Sequence, residues 1–88
     1  MPPYTVLYIE KVVRVTIPSL PVAVREVITR AIDERLTADP TGLGKPMQYK
    51  FKGYRRLRVG GWRVIYRVEG QIVTVTAIVN RRDAYKER

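Results

Sequence analysis

The sequence predicts a small α+β domain with an N-terminal strand, two helices of which the second is long, and a three-stranded antiparallel meander. Apolar residues between positions 22 and 37 recur at helical spacing. Three β-rich segments separated by glycines follow in the second half of the chain. The chain has 88 residues, which is enough for one hydrophobic core, so we expect a single domain over residues 1–88.

The first half of the chain is predicted to form a strand and two helices. Residues 4–9 alternate in a β-rich composition and indicate a strand. The β-branched residues of segment 11–17 are compatible with helix or strand, and we favour a short helix. Pro21 suits the first turn of the long helix at 22–37, with Ser19 as a candidate cap. That helix must end before Asp39-Pro40, because the residue ahead of a proline disfavours the helical backbone.

The second half is predicted to form the meander. Residues 54–59, 62–68 and 71–79 indicate strands, and Gly60-Gly61 and Gly70 supply the tight turns between them. An alternation of period two sends Arg56 and Arg58 to one face of the sheet and the apolar residues between them to the other. We expect the helices to cover the apolar face and to leave an arginine-rich face open to solvent or a ligand.

The aromatic residues near these strands have two interpretations. Trp62 and Tyr66 are four positions apart on one strand and share a face, and Tyr49 and Phe51, two positions apart, share a face of another short alternation. We interpret them mainly as core or rim packing, because a small core needs its large side chains. Base stacking between arginines is the alternative.

The charge distribution is the strongest bulk signal of function. The chain carries 17 Lys and Arg against 8 Asp and Glu, for a net charge of +9. No acidic residue lies between positions 40 and 68, and eight basic residues do. One segment therefore holds nearly all of the excess charge, which favours a polyanionic partner.

Several classes of chemistry are excluded by what the composition lacks. Without cysteine there is no thiolate zinc site and no cysteine nucleophile. Without histidine the chain lacks the commonest general base and metal ligand, so we expect neither a metal nor a cofactor. No apolar run approaches the roughly 20 residues of a membrane span, and the N-terminus does not read as a signal peptide. We expect a cytoplasmic protein with no membrane partner.

The meander resembles a known family. The sequence YRRLRVGGWRVIYRV at 54–68, a hydrophobic strand and then NRRDAY at 80–85 resemble the RelE/ParE toxin superfamily of type II toxin–antitoxin modules, with the RelE-like branch favoured. LGKPM at 43–47 resembles the loop that leads into these strands. The resemblance implies a RelE-like fold and a metal-independent, ribosome-dependent endoribonuclease that cuts mRNA in the A site. It also implies a cognate antitoxin that inhibits the toxin. Operator DNA is then expected to be contacted only through the complex with that antitoxin.

The resemblance also implies roles for individual residues. Arg63 matches the strand arginine that contacts the scissile phosphate, and its planar fork can engage two oxygens. Tyr85 matches a tyrosine that stacks on a base or transfers a proton, with packing on the sheet as the alternative. The catalytic candidates are Arg56, Arg58, Arg63, Arg81 and Tyr85. The RNA-binding candidates are Lys50, Lys52, Arg55 and Arg82, and the alternative for the basic candidates is a solvated strand or loop.

One position departs from the family pattern and keeps other functions open. Asn80 stands where many members carry histidine, and asparagine cannot exchange a proton at neutral pH, so only a histidine-free mechanism remains. A ParE-like inhibitor of DNA gyrase and a basic module that binds nucleic acid without cutting it are the alternatives. The set of arginines together with Tyr85 favours the nuclease, because a gyrase inhibitor has no need to stabilise a phosphate.

Overall fold

A five-stranded mixed sheet with helices on one face makes up residues 3–80, the part of the chain that the computed structural model describes. The strands are β1 (Thr5–Tyr8), β2 (Lys45–Pro46), β3 (Arg55–Val59), β4 (Trp62–Glu69) and β5 (Ile72–Asn80). Helix α1 consists of a π-helical segment, Val12–Thr16, and an α-helical one, Ile17–Ser19. Helix α2 is α-helical over Val22–Ala31 and π-helical over Ile32–Leu36, and α3 spans Pro40–Leu43. The predicted α+β class is confirmed.

The sheet has the order β1-β5-β4-β3-β2, in which β1 runs parallel to β5 and the other neighbours are antiparallel. Gly60 and Gly70 each begin a two-residue turn with φ of 60°, a backbone conformation that favours glycine. The predicted meander of β3, β4 and β5 is therefore confirmed.

The two predicted helices are present with small differences. Segment 11–17, for which helix or strand was open, is helical and buries Val12. Helix α2 begins at Val22 and ends at Leu36, one residue before the expected end. Its apolar stripe buries Ile28 and Ile32, whereas Val27 is 58% exposed. The stripe that faces the sheet is thus narrower than the spacing of apolar residues suggested.

Residues 38–46, which connect the long helix to the meander, contain two short elements. Asp39 caps α3 by accepting a hydrogen bond from the N–H of Gly42 at 3.0 Å, and Pro40 occupies the first turn of the helix. Strand β2 then pairs Lys45 with Arg56 and Pro46 with Arg55. These elements add a fifth strand to the sheet and fix the path of the chain into β3.

The core lies between the helices and one face of the sheet. It contains Val12, Leu20, Ile28, Ala31, Ile32, Leu36, Leu57, Val59, Val64, Tyr66, Val73, Val75 and Ile78. Tyr66 is fully buried and its hydroxyl donates a hydrogen bond to the carbonyl of Pro40, which fixes α3 to the sheet. Within residues 3–80, no helix has the length and apolar character to cross a membrane.

Candidate nucleic-acid interface

The sheet face opposite the helices carries four arginines, Arg56 and Arg58 on β3 and Arg63 and Arg67 on β4. Leu57 and Val64 are buried on the helix side, so the alternation of β3 and β4 places Arg56, Arg58 and Arg63 on the open side. Arg58 lies directly opposite Arg63 in the antiparallel register. This pair is a non-hydrogen-bonded one, in which the two Cα atoms are about 4.5 Å apart. Arg56 lies about 6.6 Å along β3 from Arg58. We call Arg56, Arg58 and Arg63 the arginine face, and its predicted orientation is confirmed.

Two of the three arginines of this face lack a carboxylate that would neutralise their charge within residues 3–80. Arg56 and Arg58 have no carboxylate partner within that range. The Nε of Arg56 is buried and has no hydrogen-bond acceptor there. Arg67, further along β4, differs because its Nε lies 3.8 Å from Glu69. A buried guanidinium donor without an acceptor is costly, and a bound anion would satisfy it.

Arg55 is separated from the arginine face. It lies on the other side of β3 and donates a hydrogen bond from a terminal guanidinium nitrogen to the carbonyl of Gly44 at 3.1 Å. This contact holds the chain between α3 and β2 against β3. This contact gives Arg55 a structural role, and the RNA contact expected from the sequence stays a prediction.

Lys50 and Lys52 lie at the turn that precedes β3. Residues Tyr49–Phe51 form a 3₁₀ turn, and the Nζ of Lys50 is 5.3 Å from the centre of the Phe51 ring, which allows a cation–π interaction. Tyr49 is 90% exposed with φ of 61°, and Phe51 is 47% exposed. Tyr49 is therefore not part of the core, and Phe51 is half-exposed, as packing at the rim of the core allows. Tyr66 does pack in the core, as expected.

Three of the candidate residues follow the last residue that the structure describes. Arg81, Arg82 and Tyr85 lie outside the described residues. Asn80, the last described residue, is opposite Trp62 in the β4–β5 register, and Arg63 is opposite Val79. The described part of β5 therefore ends beside the strand position that carries Arg63.

A small cavity next to the arginine face brings in two basic residues that were not among the site candidates. It has a volume of about 210 Å³ and is lined by Arg35, Leu43, Lys45, Arg56, Leu57 and Arg58. Lys45 belongs to the segment between positions 40 and 68 that has basic but no acidic residues. Arg35 belongs to α2, and nothing in the sequence except its positive charge indicated that it would be near the site. We call this cavity the basic pocket.

Comparisons with known proteins define the class of the chain. Residues 9–85 match the family model described as ParE toxin of type II toxin–antitoxin system, parDE. The chain therefore belongs to the ParE toxin family and to the RelE/ParE superfamily. No curated protein matches the sequence.

Solved structures of toxin–antitoxin complexes share the fold. The RelBE2 complex from Mycobacterium tuberculosis is similar at 25% identity and a TM-score of 0.83, over 92% of this chain and 94% of that chain. The RelB–RelE complex from Methanococcus jannaschii has 21% identity and a TM-score of 0.72, over 93% and 98%. The ParDE system from P. aeruginosa has 15% identity and a TM-score of 0.64, over 91% and 98%. At 25% identity, the RelBE2 structure favours the RelE-like branch.

Proposed function

We propose that this toxin is a ribosome-dependent endoribonuclease that cuts mRNA in the A site. The observation that carries the proposal is the arginine face, in which Arg58 and Arg63 lie opposite each other on neighbouring strands. RNA cleavage by the 2′-hydroxyl produces a phosphorane with extra negative charge, and positioned guanidinium groups stabilise that charge. A basic surface of this kind suits a substrate with a phosphate backbone.

The arginines have different roles in the proposed mechanism. Arg63 contacts two oxygens of the scissile phosphate through its planar fork. Arg56 and Arg58 stabilise the developing charge and hold the flanking backbone, because a guanidinium hardly ever gives up its proton. Arg81 adds to this set, and Arg82, Lys50 and Lys52 bind RNA away from the reacting atoms.

Proton transfer is the step for which the chain has the fewest groups. It has no histidine, so Tyr85 is the candidate to take or give a proton. Replacing Tyr85 with phenylalanine keeps the ring and removes the hydroxyl. Full retention of cleavage by Tyr85→Phe would assign it to base stacking, whereas a large loss with intact RNA binding would support proton transfer.

A second function has specific support. The matching family model is that of ParE toxins, and the ParDE structure shares the fold. The alternative is therefore a ParE-like inhibitor of DNA gyrase, for which the arginine face would serve binding alone. A third option, RNA binding without cleavage, remains because of the missing histidine.

We also propose a single toxin domain over residues 1–88 that acts in the cytoplasm. Its partners are the ribosome, mRNA and a cognate antitoxin, and the toxin–antitoxin complexes with a shared fold support the antitoxin. An acidic segment of that antitoxin would neutralise the arginine face. Operator DNA would be bound only through the antitoxin complex.

The test is a reconstituted translation reaction with purified toxin, in which mRNA 5′ ends are mapped by primer extension. A parallel reaction omits ribosomes. We expect cuts within the A-site codon only when ribosomes are present. Absence of cuts from folded toxin, together with inhibition in a gyrase supercoiling assay, would replace the nuclease with the gyrase inhibitor.

A further inference from the structure

The basic pocket combines four cationic side chains from three elements of the fold. Arg35 comes from α2, Lys45 from β2, and Arg56 and Arg58 from β3. Within residues 3–80, none of the four forms an ion pair with a carboxylate. The pocket therefore concentrates positive charge at one small site. One of its lining residues, Arg56, has a buried Nε with no acceptor in that range.

The strand register adds a backbone donor to this pocket. Val59 and Trp62 flank a two-residue turn and form a hydrogen-bonded pair. Hydrogen-bonded and non-hydrogen-bonded pairs alternate along an antiparallel hairpin, so the next pair, Arg58 and Arg63, is not hydrogen-bonded. The backbone N–H and C=O of Arg58 therefore point away from β4. The N–H of Met47 bonds the carbonyl of Tyr54 at 2.8 Å on that same side, which agrees with the alternation. Strand β2 begins at Lys45, opposite Arg56, and therefore does not extend far enough to pair with Arg58 at the edge of β3.

The reason that β2 stops there is the helix before it. A longer β2 would place Leu43 opposite Arg58, but Leu43 is the last residue of α3. The edge of β3 at Arg58 is consequently left to the pocket, which Leu43 and Leu57 also line. An N–H group and four cationic side chains thus border a cavity with an apolar wall.

The size and donor arrangement of the pocket restrict its ligand. Ordinary small-molecule sites measure about 300–1,000 Å³, and this cavity is smaller, at about 210 Å³. It therefore suits a single anionic group and not a whole cofactor. The cationic residues belong to three separate elements of the fold. Donors from separate elements can reach an anion from several directions, which fits the tetrahedral oxygens of a phosphate better than the two coplanar oxygens of a carboxylate.

We propose that the basic pocket binds a phosphate of the RNA backbone that flanks the scissile phosphate. This proposal rests on the proposed function, because it takes RNA as the substrate of the arginine face. Arg56 and Arg58 belong to both sites, so a strand that places one phosphate at Arg63 can continue directly into the pocket. Arg35 and Lys45 are then positioning residues for RNA and do not contact the reacting atoms.

The first measurement follows the backbone amide of Arg58 by NMR in the ¹⁵N-labelled full-length toxin. The probes are inorganic phosphate, acetate and a short 2′-O-methyl oligouridylate, which cannot be cut because its 2′ oxygens are blocked. We expect phosphate and the oligonucleotide to shift the Arg58 amide. A shift with acetate and none with the oligonucleotide would overturn the proposal in favour of a carboxylate from a protein partner. No shift with any probe would overturn it as well.

The second measurement is the affinity for the same oligonucleotide as a function of salt, by fluorescence anisotropy. Arg35→Ala should weaken binding roughly tenfold and lower the salt slope by about 0.7, the value for one phosphate contact on a single strand. Arg30→Ala is the matched control, since Arg30 is an exposed arginine of α2 that borders Glu26 and Glu34. Equal binding by Arg35→Ala and wild type would refute the pocket's role.

These outcomes separate the pocket from the proposed function. If wild-type toxin binds the oligonucleotide through the pocket but makes no ribosome-dependent cuts, nuclease activity fails and the phosphate site remains. If the toxin cuts mRNA and Arg35→Ala leaves oligonucleotide binding unchanged, the phosphate site fails and the nuclease remains. Arg35 is exposed, so we expect Arg35→Ala to fold, which circular dichroism checks.

Discussion

The hydroxyl of Tyr66 is predicted to stabilise the fold and to hold the approach to β2. It is fully buried and donates to the carbonyl of Pro40, a buried residue of α3. Tyr66→Phe keeps the ring, so no large cavity forms, but the Pro40 carbonyl loses its donor. The cost of leaving a buried carbonyl without a donor is about 1–3 kcal/mol. Because α3 leads directly into Lys45, the same change should also weaken phosphate binding at the basic pocket.

The assay is urea unfolding followed by tryptophan fluorescence. With a denaturant dependence of about 1–3 kcal/mol per molar urea, the Tyr66→Phe midpoint should fall by roughly 1 M. Tyr49→Phe is the control, because Tyr49 is 90% exposed and its hydroxyl is in contact with water. Equal midpoints for Tyr66→Phe and wild type would refute the claim that this hydrogen bond fixes α3.

Three further predictions concern the same region and the turn before β3. Burial raises the pKa of Tyr66 to about 12, with Arg55 lowering it and Asp39 raising it. Since the folded pKa exceeds the unfolded value of 10.0, stability should be intact below pH 10 and fall by about 2–3 kcal/mol as the pH rises to 12; urea midpoints across this range test the sign, and a rising midpoint would contradict it. Gly44→Ala places a Cβ 1.6 Å from the Tyr66 hydroxyl oxygen and should lower the thermal midpoint more than Tyr66→Phe does, so an unchanged midpoint would contradict the close approach. Tyr49→Gly relieves a positive φ and should raise stability by about 1 kcal/mol in urea unfolding, whereas a loss would show that the turn is unstrained.

Much of the fold follows from local patterns because its main elements are long enough to show a period. The alternation through Arg56, Leu57 and Arg58 predicted both the strand and its two faces, and the structure agrees. Helix α3 and strand β2 have four and two residues, which is too short for a periodic signal. Asp39 and Pro40 do form a cap and first turn, so that pair is the local feature from which α3 could have been predicted.

Part of the site could likewise be predicted from residues close together in the sequence, whereas another part depends on how distant segments pack. The arginine face was predictable because its members lie on adjacent strands joined by a two-residue turn. Arg35 was not predictable, because only the packing of α2 against the sheet brings it beside Arg58. Arg55 is one position from Arg56 in the sequence, yet it lies on the other face and bonds Gly44. Charge alone therefore does not tell which basic residues share a site.

The central claim is that the arginine face cleaves mRNA on the ribosome. The most direct measurement compares wild type, Arg63→Ala and the control Arg30→Ala in the reconstituted translation reaction, with 5′ ends quantified by primer extension. We predict A-site cuts by wild type and Arg30→Ala, and a loss on the order of 10²-fold or more for Arg63→Ala at unchanged stability. Equal cleavage by Arg63→Ala and wild type would contradict the account.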